Sequence, residues 1–388
     1  MKKVVYIICL LLTIVSCTND ELDMKNQSLH YIRLEYVPKG IPEEITLSNG
    51  EKIYMDIDST YYKGDIIFSK EQVDLMTRPT TRSAVIKSRI HYWPNKSIPY
   101  KINSGFSTDE IMKIQDALQS ISNYTGIQFT ETNTPPAKHI EFVPTPDSWS
   151  SPVGMQSNGN TIRIGTNEYY IGVILHEIMH SLGFFHEHQR TDRDTYVNIY
   201  PDNIDPVAIT SFNKYTDSGY QGYDIGTFDY NSVLLYHSRI FAIIDTCYTI
   251  TDNNGGILYQ NKGNLSNGDI KGLKFVYGPE RLVLDTEVIY DYVSGDDEYY
   301  IYSNTVRFVD SSNNPVVLDH PRLIVVDYSE YQFGDGPGMS TNNTTTEYYI
   351  APSGVSSYSL GVTEYLHEEE GYGIIRRHEE SWYNVYSY

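Results

Sequence analysis

Cysteine is almost absent from this chain, with three residues in 388, Cys9, Cys17 and Cys247. So few thiols exclude a disulfide-stapled scaffold, and core packing must hold the fold, as it can in a domain of about 200 residues. Positive charge is also scarce. Against 50 Asp and Glu stand 29 Lys and Arg, a formal net charge of −21. That balance excludes nonspecific nucleic-acid binding and favours solubility and basic partners. Long apolar runs are missing too. The run Val4–Val15, preceded by Lys2 and Lys3, is too short for a permanent membrane helix and has the order of an export signal.

What is present is concentrated in His176-Glu177-Ile178-Met179-His180-Ser181-Leu182-Gly183-Phe184-Phe185-His186-Glu187. On an α-helix His176 and His180 lie four residues apart on one face, where both rings can bind one Zn²⁺. Glu177 then sits beside the metal as a general base that returns its proton to the leaving amine. Gly183 ends the helix and turns the chain so that His186 comes back beneath it as third ligand, leaving the fourth position open. Singly, each histidine is more often an ordinary core or surface residue. Five fixed identities in eleven positions form the zinc-peptidase signature instead.

The continuation Glu187-His188-Gln189-Arg190-Thr191-Asp192-Arg193-Asp194 resembles the astacin family of metzincins. Phe228-Asp229-Tyr230-Asn231-Ser232-Val233-Leu234-Leu235-Tyr236 is similar to that family's Met-turn segment. The resemblance implies that Tyr236 binds zinc at rest and swings away to hydrogen-bond the tetrahedral oxyanion. Leu234 stands where the family has its turn methionine, and Leu235 where it usually has histidine. A leucine of similar volume should serve as the hydrophobic base. Trp93 to Tyr100 resembles the first strand of the family's catalytic domain and Leu265 to Tyr277 its closing helix. The match spans about 84 to 280.

Local signals agree with an α+β domain, and the resemblance implies the two-lobed metzincin form. Ser107 and Glu110 form a capping box ahead of Ile111, Ile114, Leu118 and Ile121 at helical spacing. His139–Val143 and Thr161–Ile164 read as strands. By resemblance the second is an edge strand that pairs with extended substrate. Asn167 is a candidate cap for the zinc helix.

Upstream, Ile14-Val15-Ser16-Cys17 resembles a bacterial lipobox, with Thr18-Asn19-Asp20-Glu21 similar to surface-export signals of Bacteroides-like lipoproteins. Residues 1–16 would then be the signal and Cys17 the lipidation site that tethers the exported chain to a membrane. An ordinary signal peptide with an incidental cysteine is the other reading. With Cys17 lipidated, Cys247 is the one thiol of the mature body, read as a core residue. Residues 17–83 read as a propeptide. Tyr62-Lys63-Gly64-Asp65-Ile66 resembles the astacin Phe-x-Gly-Asp motif, which implies that Asp65 blocks the zinc as a latency switch; a plain hairpin turn is the alternative. Thr77–Ala84 has linker composition, with Arg82 as the candidate cleavage position for an activating protease. In the family the new N-terminus folds toward the residue matching Glu187, which implies a structural role there.

From 281 to 388, runs such as Thr305–Val309 and Leu323–Val326 lie between Asn, Gly and Asp clusters without helical periodicity. This suggests an all-β, sandwich-like accessory domain. Its tyrosines, Tyr299, Tyr300, Tyr302, Tyr348 and Tyr349, could line a binding surface or simply alternate on strands. The expected protein is an exported zinc endopeptidase made as a latent precursor and acting on protein or peptide substrates. The competing reading is a surface adhesin or glycan-binding lipoprotein with a weak peptidase domain.

Overall fold

A computed structural model describes residues 38–46, 52–68, 73, 87, 91–146, 149–166, 170–294, 297–333, 340–368 and 379–386. Cys17, Arg82 and Asn167 lie outside them. Along the chain come β1 (Glu43–Thr46), β2 (Lys52–Met55), β3 (Tyr61–Lys63), β4 (Ile66–Phe68), β5 (Ser97–Ile102) and α1 (Thr108–Thr125). Next are β6 (Gln128–Glu131), β7 (Ile140–Thr145), β8 (Ser151–Pro152), β9 (Asn160–Gly165) and α2 (Ile171–Ser181). A short ribbon pairs β10 (Val197–Ile199) with β11 (Ile250–Asp252), and α3 (Asn267–Tyr277) follows. Six long strands end the order: β12 (Arg281–Ser294), β13 (Asp297–Val309), β14 (Arg322–Phe333), β15 (Ser340–Ala351), β16 (Ser357–Glu368) and β17 (Glu379–Tyr386). No helix among the described residues is long and apolar enough to cross a membrane.

Two compact units divide these residues. The first takes the described residues up to Lys87, with Lys101–Gln115 and Pro135–Gly268; the second takes Ser88–Tyr100, Asp116–Thr134 and Asp269–Tyr388. The cut falls within α1. That helix starts as its capping box dictates, Ser107 N donating to Glu110 Oε2 at 2.5 Å and Glu110 N to Ser107 Oγ at 3.3 Å. Its apolar stripe of Ile114, Ala117, Leu118 and Ile121 is buried.

In the first unit, α2 is buried along nearly its whole length, from Gly172 to Ser181. Its N-cap is Tyr170, which makes no side-chain cap bond. β7 and β9 pair in parallel. The outer backbone of β9 is not open at its centre, because Ser150 exchanges two hydrogen bonds with Arg163 at 3.2 and 2.8 Å. β9 is the edge strand of its sheet, of order β6-β5-β7-β9, as the Thr161–Ile164 reading expected. The upstream segment pairs with β8, completing a five-stranded sheet of order β1-β2-β3-β4-β8 in which β4 runs parallel to β8.

In the second unit, Ser97–Tyr100 pairs in parallel with β6. Tyr92 meets Tyr277 edge to face at 6.3 Å, and the Tyr277 hydroxyl accepts from Trp93 N at 3.4 Å. The six C-terminal strands form one antiparallel sheet of order β12-β13-β16-β17-β14-β15. Its two halves are joined by two residue pairs between β16 and β17. Leu282, Val306, Phe308 and Leu360 from one half pack in one core with Ile324, Val326 and Ala351 from the other. The sheet thus folds over on itself as a sandwich does. Tyr349 packs against that core and Tyr300, Tyr302 and Tyr348 are half-buried, so these rings behave as strand residues.

Candidate metal centre

Three imidazoles converge because α2 presents two of them and a turn returns the third. Gly183 adopts φ +101°, a region closed to most side chains, and its N–H donates to His180 O at 2.8 Å. His176, His180 and His186 are each at most 1 % exposed. His180 Nε2 lies 2.9 Å from His176 Nε2.

Each ring is oriented from behind. Nδ1 of His176 lies 2.7 Å from Val233 O, and Nδ1 of His180 lies 2.6 Å from Phe184 O. Both contacts require Nδ1 to carry the proton. His186 Nδ1 lies 3.2 Å from Gln189 Oε1, which also accepts from His186 N. The three Nε2 lone pairs therefore face one another in a buried space. Such an arrangement is repulsive unless a cation fills it, and three neutral imidazoles are the donor set of a zinc site. The residues fit the ion.

Asp65 enters this space from the upstream segment. Its Oδ2 lies 3.0 Å from Nε2 of both His176 and His186 and 3.6 Å from that of His180, while Tyr236 donates to Oδ1 at 3.3 Å. The four residues Asp65, His176, His180 and His186 form one potential metal-holding cluster. Gly64, at φ +61°, allows the approach: a Cβ there would lie 2.9 Å from Ser211 Oγ and 3.5 Å from the Tyr236 hydroxyl. Tyr62, Ile66 and Phe68 are buried beside it, and Ser151 N donates to Asp65 O at 3.1 Å.

The electrostatics of the contact pull in two directions. Burial alone would raise Asp65, but His186 and the imidazole contacts hold its carboxyl well below the usual range. Burial lowers His186 and, reinforced by His176, takes His180 down to about 4. An ionised carboxylate facing neutral imidazoles needs a positive charge between them, so we read the imidazoles as neutral and the balancing charge as metal. Glu177 is fully buried with neither carboxylate oxygen hydrogen-bonded among the described residues. Burial first, and then Asp65, hold it well above the ordinary range. Tyr236 is raised the same way; it lies against His186 at 4.3 Å and stacks on His188 at 4.1 Å.

Glu187 is not in this cluster. Its Oε1 accepts from Asp229 N at 2.8 Å and lies 3.5 Å from Arg190. Leu234 is buried and its carbonyl accepts from Glu187 N at 3.0 Å. Sequence reasoning missed Gln189, His188 and the Val233 and Phe184 carbonyls. Backbone acceptors leave no residue signature, whereas Gln189, three residues after His186, could have been suspected as its partner.

Residues 85–278 match the family model described as Astacin, a peptidase family. Flavastacin of Elizabethkingia meningoseptica is 31 % identical over 287 residues, 70 % of this chain and 63 % of that protein. Zinc metalloproteinase nas-15 of Caenorhabditis elegans is 31 % identical over 178 residues, 46 % of this chain and 31 % of that protein. The chain thus spans less than two thirds of either relative. Among solved structures, high choriolytic enzyme 1, a hatching enzyme zinc-protease from Oryzias latipes, has 30 % identity and a TM-score of 0.44. That match covers 48 % of this chain and 94 % of that one.

Proposed function

Since the chain belongs to the astacin family, whose relatives are named as zinc metalloproteinases, we propose that it is a zinc endopeptidase made as a latent precursor. The observation that carries this reading is the convergence of three buried Nε2 atoms on one carboxylate. His176, His180 and His186 would hold one Zn²⁺ in the active enzyme. When bound, the ion acidifies water and polarises a substrate carbonyl.

The chain's own residues supply the rest. Glu177, buried and unpaired, takes the proton that water loses as its oxygen bonds to the carbonyl carbon, and delivers it to the amide nitrogen as the C–N bond breaks. Tyr236, freed when Asp65 leaves, donates its hydroxyl hydrogen to the oxyanion. Asp65 and the buried residues around it exclude substrate until the segment is removed by a cut near Arg82. We further propose export as a lipoprotein acylated at Cys17, so that the cut releases the catalytic part; mass spectrometry of both termini from the native cells tests this.

Activity is tested by incubating precursor and protein cut near Arg82 with an unfolded protein substrate, with and without chelator. Cut protein should cleave, lose activity with chelator and regain it with zinc, while Glu177→Gln should stay inactive with its zinc in place. Failure of zinc-loaded cut protein to cleave would favour the adhesin reading.

A further inference from the structure

We propose that Glu280 and His320 form a second divalent-cation site, of zinc-like preference, with Asp319 orienting the imidazole. It lies in the second unit, apart from the residues assigned to catalysis. Glu280 directly precedes β12 and His320 lies just before β14. They are 7 % and 4 % exposed. One ligand atom from each of Glu280, Asp319 and His320 lies within 4.8 Å of the others.

The ring's tautomer follows from its neighbour. His320 Nδ1 donates to the Asp319 carboxylate, so in the neutral ring Nε2 is the lone-pair acceptor, the arrangement common behind metal-bound imidazoles. That atom faces Glu280 Oε2 at 3.6 Å, and neither has a hydrogen-bond partner among the described residues. At this distance even a protonated ring would make no proper hydrogen bond, so two buried acceptors confront each other. An ion about 2.1 Å from each would subtend an angle of about 120°, within the range of zinc coordination.

Space for the ion exists because residue 278 is glycine. A Cβ there would lie 2.5 Å from Glu280 Oε2 and 2.8 Å from His320 Nε2. The nearby cations hydrogen-bond to other groups, although Arg322 also faces Glu280 as a loose ion pair. Arg322 Nη1 donates to Phe275 O and Val276 O, and its Nε stays 3.9 Å from Glu280 Oε2. Lys274 pairs with Asp319 at 3.0 Å. Lys96 donates to Gly278 O and Glu280 O, and burial, then Arg322, bring it down to about 7. Bound metal would tie the end of α3 to the start of β14.

The test counts zinc by elemental analysis in full-length protein dialysed against zinc. Wild type should bind about two equivalents and the His176→Ala/His180→Ala variant about one. In that background, Glu280→Gln, His320→Ala and Gly278→Ala should each remove the remaining ion and lower the thermal midpoint only when zinc is present. His320→Ala in the cut enzyme should leave proteolysis unchanged. Zinc-free but folded His176→Ala/His180→Ala protein would overturn the second site and spare the catalytic reading. Retention of the ion after Glu280→Gln and Gly278→Ala, with folding confirmed by circular dichroism, would overturn it too. One ion in wild type that survives loss of His176 and His180 would instead sink the catalytic assignment.

Discussion

Asp65→Ala in the uncut precursor is the most direct test of latency. The carboxylate makes two 3.0 Å contacts to imidazoles, a third at 3.6 Å and an accepted bond from Tyr236. The Nε2 atoms are lone-pair acceptors, so those contacts hold only through a shared metal ion, whereas the bond that Tyr236 donates to the carboxylate is by itself worth about 2 kcal/mol, as a hydrogen bond to a charged group. The flanking anchors survive the change: β4 still pairs with β8, and Lys63 Nζ still donates to Ser218 Oγ at 3.2 Å. From that bond alone, a peptide hydroxamate that competes for the site should bind Asp65→Ala at least on the order of 30-fold more tightly than the wild-type precursor. Competition binding at fixed zinc reads the difference, with circular dichroism as the folding control. Asp65→Asn, which keeps the shape and loses the charge, should fall between. Affinities for wild type and Asp65→Ala within twofold of each other would refute the switch.

Three further outcomes are expected. Tyr236→Phe in the cut enzyme should lower kcat by about 10²-fold with little change in KM, the usual cost of one lost oxyanion donor; an equal rise in KM would point to substrate binding instead. His237 is buried and held down to about 3 by burial and then by Lys262 and Arg239. It stays neutral when folded but titrates near 6.5 when unfolded, so the folded state binds fewer protons and loses stability as pH falls from about 6.5. Urea unfolding at pH 6.5 and 4.5 should differ by about 2 kcal/mol from this residue, and His237→Gln should flatten the dependence. Leu234→Met should move the thermal midpoint by no more than a few degrees and leave zinc content unchanged; a large gain in either would show that leucine is a defect there.

The metal cluster was legible because its logic is local. A four-residue step along α2 and one glycine turn bring three imidazoles together without any knowledge of the rest of the chain. The capping box of α1 was legible for the same reason, since Ser107 and Glu110 satisfy each other across three residues. Long-range pairing was not. That Ser150 pairs with Arg163, and that β4 runs beside β8, depends on contacts between residues apart in sequence with no composition of their own. The Glu280 and His320 pair was equally hidden, separated by forty positions and lacking any spaced motif. The C-terminal strands were visible from their β-branched runs, but their order was not: β17 inserts between β16 and β14, and alternation alone carries no such information.

Position 234 explains why a residue that departs from its family can leave the site intact. Two successive carbonyls in this turn act on the metal cluster: Val233 O fixes the tautomer of His176, and Leu234 O accepts from Glu187 N, the residue directly after His186. The turn is itself held by Ser232, whose hydroxyl accepts from Leu234 N at 3.0 Å. What the centre needs from residue 234 is therefore a backbone in the right place and an apolar side chain that stays buried. Leucine meets both needs, being 4 % exposed. The orienting groups behind a metal ligand often matter nearly as much as the ligand, and here they belong to the backbone, which substitution at 234 does not remove. By this reasoning, the sensitive position in the turn is Ser232, which no ligand motif marks.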